Sequence, residues 1–199
     1  MSDLFQDQYR IESTRLIGWD YSSPGIYFVT ICTKNKKHFF GDIKNGIMIL
    51  SDIGNIVHDE WMKTGTIRKC VNIDEFIVMP NHVHGIIQIK YNNIQNVGVD
   101  NPCRDAMPGR LYGKRSALGN IINQFKTICT KQIWKLGYKN FAWQSRYYDR
   151  IIRDETELYF VRQYIQNNPL NWDLDRNHAK HKYQTCKYKS CRCIILFDR

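Results

Sequence analysis

Short apolar runs alternate with polar, glycine-containing breaks along this chain, and the period of each run names its element. Ile26-Tyr-Phe-Val-Thr-Ile-Cys-Thr33 is β-branched and aromatic throughout, as a central strand is. His38 to Asp42 and Ile47 to Leu50 flank the tight-turn pair Asn45-Gly46, which predicts a hairpin. Ser51 is placed to cap a helix reaching about Lys63, with Ile53, Ile56, Val57 and Trp61 on one side. Glu75 to Met79 and His82 to Lys90 read as two strands joined at Pro80-Asn81.

Residues 91–115 are rich in Asn, Gly and Pro without periodicity, and predict a long loop. Ser116 then caps a helix to about Leu136, whose inner positions are Leu118, Ile121, Ile122, Phe125, Ile128 and Ile133. Phe141 to Ile152 is expected to be extended. Asp154 and Glu157 have the spacing of a capping box, opening a helix that must stop before Pro169. Interleaved helices and adjacent hairpins predict an α+β fold, an antiparallel sheet with helices on its faces. One domain over residues 1–175 and a basic, cysteine-containing tail over 176–199 are expected.

Composition narrows the classes. Hydrophobic residues make up 43% of the 199 positions and aromatic ones 13%, which excludes a disordered chain. No stretch reaches 18 apolar residues and the N-terminus is polar, so a cytoplasmic protein without a membrane span is expected. The 29 Lys and Arg against 19 Asp and Glu give a net charge of +10, which favours a polyanionic partner. Of seven cysteines, Cys32, Cys70 and Cys129 fall in apolar surroundings and are expected to be reduced core residues. Cys186, Cys191 and Cys193 lack the spacing of a zinc site.

The chemistry-bearing pattern is His82-Val83-His84. On a strand, positions i and i+2 share a face, so two imidazoles stand side by side and Val83 turns away. Two such groups completed by oxygen ligands suit magnesium or manganese, which would polarise a phosphate. In the last helix, Tyr164 and Asn168 are i, i+4 neighbours. Tyr164 has the position of a nucleophile and the Asn168 amide oxygen that of a third ligand. Tyr147, Tyr148 and Tyr159 are rival nucleophiles. Glu157 lies on the same flank as Tyr164, with capping as its simpler role. Lys114, Arg115 and Lys126, with Arg146, Arg150 and Arg153 in the extended stretch, are the candidate phosphate contacts.

Met79-Pro-Asn-His-Val-His84, Phe141-Ala-Trp-Gln-Ser-Arg-Tyr-Tyr-Asp-Arg-Ile-Ile-Arg-Asp-Glu155 and Tyr164-Ile-Gln-Asn-Asn-Pro169 together resemble the REP-associated tyrosine transposases. These are single-tyrosine HUH transposases, named for His-hydrophobe-His, and the resemblance extends from about Gly25 to Trp172. It implies a ferredoxin-like sheet with flanking helices. It also implies metal ligation by His82, His84 and Asn168, with Tyr164 attacking single-stranded, hairpin-forming DNA to leave a 5′-phosphotyrosine and a free 3′-OH. Family members act as monomers or homodimers. The runner-up is a non-catalytic, domesticated DNA-binding protein on the same scaffold. A structural zinc protein would need cysteine spacings that the chain lacks.

Overall fold

The computed structural model describes residues 16, 18–21, 23–90, 117–175 and 177. In chain order the elements are β1 (Gly25–Cys32), the hairpin β2 (Gly41–Lys44) and β3 (Ile47–Leu50), α1 (Asp52–Ile67), β4 (Val71–Met79), β5 (His82–Ile89), α2 (Ala117–Lys135), β6 (Tyr148–Ile152) and α3 (Glu155–Asn167). Four strands form one sheet in the order β4-β5-β1-β6, and every pairing is antiparallel. Without the β2–β3 hairpin and the closing α3, the succession is β-α-β-β-α-β, and this is the ferredoxin-like arrangement. The expected α+β class with helices on both faces is the observed one. No described helix is long and apolar enough to cross a membrane.

The inner strands explain their own composition. β1 and β5 are covered on both faces, so they read as continuous apolar runs and not as an alternation. Tyr27, Val29 and Ile31 of β1 join Val83 and Ile87 of β5 beneath α1 and α2, packing on Trp61, Leu118, Ile122 and Phe125. The opposite residues Phe28 and Ile86 meet Leu158, Val161 and Ile165 of α3. α1 and α3 start as their sequence predicts. The Ser51 hydroxyl accepts from the Gly54 N–H, and the Asp154 carboxylate accepts from the Glu157 N–H. The Asn45-Gly46 turn also forms, with positive φ at both residues.

Three boundaries differ from expectation. In the stretch 141–152 regular pairing with β1 is confined to Tyr148–Ile152, and within 141–147 only an isolated Thr33–Trp143 bridge and the Gln144 N–H to Cys32 carbonyl bond reach the end of β1. Phe141 and Trp143 are drawn into an aromatic cluster with Phe39 and Phe40, and that burial outweighs strand pairing. β4 begins at Val71 and not at Glu75, with a register shift between Ile73 and Phe76. α1 runs on to Ile67, since nothing between Lys63 and Ile67 breaks it. Cys32 and Cys129 are buried free thiols as expected, whereas Cys70 is disulfide-bonded. The 91–115 loop, Ser116 and the tail from 178 onward lie outside the described residues.

Gly85 separates the two faces of β5 at their tightest point. A Cβ there would stand 2.3 Å from Cζ2 of Trp61, a fully buried side chain with no room to retreat. Gly85→Ala should therefore cost about 1–3 kcal/mol of stability in chemical denaturation, as overpacked cores do. An unchanged midpoint would show that Trp61 is more yielding than its burial implies.

Candidate metal and tyrosine site

The register of β5 decides where the two histidines point. His82 lies opposite Cys32 and His84 opposite Thr30, on the α3 side of the sheet. Both rings are buried, at 0% and 1% exposure, with centroids 4.4 Å apart. Each ring is held through Nδ1. His82 Nδ1 donates to the Asn81 amide oxygen at 2.8 Å, and His84 Nδ1 lies 2.8 Å from the Thr30 hydroxyl. The Asn81 amide has no freedom to flip, because its Nδ2 donates to the carbonyls of Lys36 and Asn177. With Nδ1 of His82 protonated, the lone pair sits on Nε2, the atom a metal would take.

Electrostatics supports the same state. Burial, reinforced by Lys36 and His38, pushes His82 down to about 3. Burial, with His82 as neighbour, lowers His84 well below the ordinary histidine range. Both rings are therefore neutral at pH 7 with donor lone pairs.

A third donor arrives from the last residue of the expected domain, to which sequence reasoning gave no role. After α3, a single 3-10 turn over Trp172–Leu174 carries the chain back, and Asp175 is buried with Oδ2 3.8 Å from Nε2 of His82. One donor atom from each of His82, His84 and Asp175 lies within 4.8 Å of the others. No spacing signal marks Asp175, which follows a proline break and reaches the histidines only in three dimensions. Asn177, next but one, is also buried.

Asn168, the ligand expected from the sequence, caps α3 and is buried at 3% exposure. Its amide oxygen, His82 Nε2 and Asp175 Oδ2 have no hydrogen-bond partner among the described residues. Buried polar atoms are seldom left without a partner, so these three mark where a ligand, a water or an ion would be accepted. Two imidazole nitrogens with carboxylate and amide oxygens are a donor set that divalent ions accept.

Tyr164 projects from α3 to the same place. Its hydroxyl is 3.3 Å from Nε2 of His84, and its ring stands edge-on to His84 and Phe28. The rival tyrosines are elsewhere. Tyr147 packs on the opposite core, with the Lys126 ammonium 5.9 Å from its ring centre. Tyr159 is exposed beside Phe160. Tyr148 shares the histidine face but stands at the sheet edge. Glu157 is not near the histidines' donor cluster: it accepts from the Arg153 N–H and pairs with Arg150 at 2.6 Å, tying the start of α3 to β6.

The expected basic residues separate into kinds. Lys126 donates to the carbonyls of Gln144 and Arg146, and burial pushes its ammonium down to about 8. Arg146 and Arg153 are exposed around β6, and Arg150 is partly exposed despite its ion pair. Lys114 and Arg115 lie outside the described residues.

A second tie fixes the middle of α3. Arg162, two residues before Tyr164, grips Asp74 with two hydrogen bonds of 2.9 and 2.6 Å. Asp74 sits where β4 shifts register, and its carboxylate also accepts from the Glu75 N–H.

No protein-family model matches the chain. A protein of Haemophilus influenzae described as uncharacterized is 39% identical over 165 residues, which is 82% of this chain and 91% of that one. The chain belongs to the family of that Haemophilus protein. Among solved structures, a REP-associated tyrosine transposase bound to a REP hairpin aligns with a TM-score of 0.48 at 18% identity, covering 74% of this chain and 68% of its own. A putative transposase of Deinococcus radiodurans aligns with a TM-score of 0.37 at 16% identity, covering 77% and 97%.

The Arg162–Asp74 pair is partly exposed, so each single alanine substitution should cost about 1 kcal/mol. The double substitution should cost less than the sum of the two. Arg162 holds the Asp74 carboxyl below its ordinary value of 3.8. A depressed acid stabilises above its unfolded pKa, so the difference between wild type and Asp74→Asn should be full at pH 7 and shrink as pH falls below about 4. Denaturation at pH 7 and pH 3 measures it; a difference that grows in acid would contradict the pairing.

Proposed function

We propose that this protein is a metal-dependent tyrosine transposase of the REP-associated type, which cleaves and rejoins single-stranded, hairpin-forming DNA. The observation that carries the reading is the Tyr164 hydroxyl 3.3 Å from Nε2 of His84, within the His82–His84–Asp175 cluster. A nucleophile and a set of metal donors converge from separate elements, and the motifs that supply them are those of the family resemblance. His82, His84 and Asp175 would hold the ion, with the buried Asn168 oxygen as a further ligand. Magnesium or manganese, when bound, neutralises charge on the scissile phosphate.

The chain's own residues do the rest. The Tyr164 oxygen attacks phosphorus and loses its proton, the P–O3′ bond breaks in line, and the departing oxygen is protonated to a free 3′-OH. The product is a 5′-phosphotyrosine, which a second 3′-OH reverses to complete strand transfer. Asn81 and Thr30 keep the imidazoles turned so that Nε2 faces the site. Phe28 limits rotation of the Tyr164 ring. α3 folds onto the sheet of its own chain, so one chain assembles a site, and a monomer suffices for cleavage. Arg146, Arg150 and Arg153 are the phosphate contacts that this arrangement favours, with Lys114 and Arg115 as further candidates. A cytoplasmic location fits such a substrate. The domain of residues 1–175 would carry the chemistry, with Asn177 locking Asn81.

One observation favours the second reading, a non-catalytic DNA-binding protein on the same scaffold. At 0% and 1% exposure the histidines meet no solvent in this conformation, so a phosphate enters only if the covering chain moves. A binder needs no such movement.

The deciding experiment incubates the protein with hairpin oligonucleotides bearing single-stranded flanks, in manganese or magnesium, and looks for a covalent adduct. Tyr164→Phe should eliminate it while leaving DNA affinity nearly unchanged, and mass spectrometry should map the nucleotide to the Tyr164 peptide. An adduct on another tyrosine would refute the assignment. No adduct on any strand would favour the binder.

Metal affinity is read separately, by calorimetric titration with manganese. His82→Ala, His84→Ala and Asp175→Ala should each abolish or strongly weaken binding. Asn81→Ala removes only the orienting bond and should cost about 10–100-fold. Unchanged affinity in Asp175→Ala would remove that residue from the ligand set.

A further inference from the structure

The histidine face presents a second tyrosine that the proposed reaction does not use. Tyr148 on β6 pairs with Thr30 on β1, and Thr30 pairs with His84 on β5. Directly opposed residues of an antiparallel pair project to the same face. His84, Thr30 and Tyr148 therefore form one row across three strands. Neighbouring strands are about 4.8 Å apart, so the row places Tyr148 about 10 Å from His84 along the sheet.

Exposure rises steeply along that row. His84 is 1% exposed, Thr30 5% and Tyr148 54%. The two ties of α3 explain the gradient. Arg162 binds the helix to β4, and Glu157 binds its start to Arg150, one position further along the same face of β6. Ile152, on that face too, is buried against α3. What the helix leaves open is the corner at the start of β6, where Tyr148 stands. The exposed Arg146 precedes it by two residues. A large ring kept in water on an edge strand, beside a cation and in line with the candidate site, has the composition of a surface that stacks bases.

We propose that Tyr148 is a stacking platform for one unpaired nucleobase of the strand to be cut, within a nucleotide or two of the phosphodiester that Tyr164 attacks. This rests on the reading of the site given above. The ring holds the base by its π-face, so it positions the flanking strand and adds selectivity at one position without reading a hydrogen-bonding edge. Arg146 neutralises a neighbouring phosphate. Tyr148 forms no covalent bond.

Full-length protein is assayed on a hairpin oligonucleotide whose flanking nucleotides are replaced one at a time by an abasic site, and in a parallel series by 2-aminopurine. In wild type, one abasic position should raise KM about 10-fold or more, with kcat for adduct formation little changed. Tyr148→Ala should show the same loss on intact DNA and no further loss at that abasic position. Tyr148→Phe and Tyr148→Trp should restore it, and Tyr148→Ala should melt like wild type because the ring is half exposed. Bound wild type should quench 2-aminopurine at the same position, and Tyr148→Ala should not. A wild-type KM in Tyr148→Ala, or abasic penalties that persist undiminished in that variant at every position, would overturn the proposal. Should wild type form no adduct at all, the transposase reading falls, and the position-specific quench with its loss in Tyr148→Ala still decides the platform.

Discussion

The burial of β5 on both faces is the constraint from which the rest of the site follows. A strand in that position cannot leave a polar side chain unserved, because an unpaired buried group costs on the order of 1–3 kcal/mol. His82 and His84 nevertheless occupy its α3 side, at almost zero exposure. Their Nδ1 atoms are held by Asn81 and Thr30, which removes half of the problem and fixes both rings. The other half stays open at His82: its Nε2, like Oδ2 of Asp175 3.8 Å away and Oδ1 of Asn168, has no hydrogen-bond partner among the described residues.

The opposite face of β5 makes this arrangement rigid. Gly85 admits the Trp61 ring against the strand backbone, and Val83 and Ile87 pack beside it. A slip of one residue in the β1–β5 register would exchange the faces, burying Val83 under α3 and driving the imidazoles into Trp61 and Phe125. The histidine pair is thus positioned less by its own bonds than by the apolar cost of placing it anywhere else.

α3 is attached differently. Its apolar contact with the sheet is small, made by Leu158, Val161 and Ile165 on Phe28, Ile86 and Ile152. Two ion pairs at partly exposed positions, Arg150–Glu157 and Arg162–Asp74, supply direction where area is limited. Such pairs contribute little to stability but fix an orientation. The same helix carries the Tyr164 hydroxyl 3.3 Å from a ring nitrogen of His84.

Much of this was legible in the chain. Period-two placement put His82 and His84 on one face, Ser51 and Asp154 announced their helices, and i, i+4 spacing joined Tyr164 to Asn168. All of these are local rules, set by the geometry of a strand or a single helical turn. The register shift in β4, the burial of Phe141 and Trp143 and the packing of Tyr147 on the opposite core were not legible. They depend on which distant rings compete for the same space, as Phe141 and Trp143 do with Phe39 and Phe40. Asp175 is the clearest case. By itself the sequence determined the strand that carries the histidines and the helix that carries the tyrosine, because both follow from periodicity. Only the tertiary structure decided that a carboxylate beyond a proline break returns to His82, because that contact is made by the path of the chain and leaves no periodic trace in it.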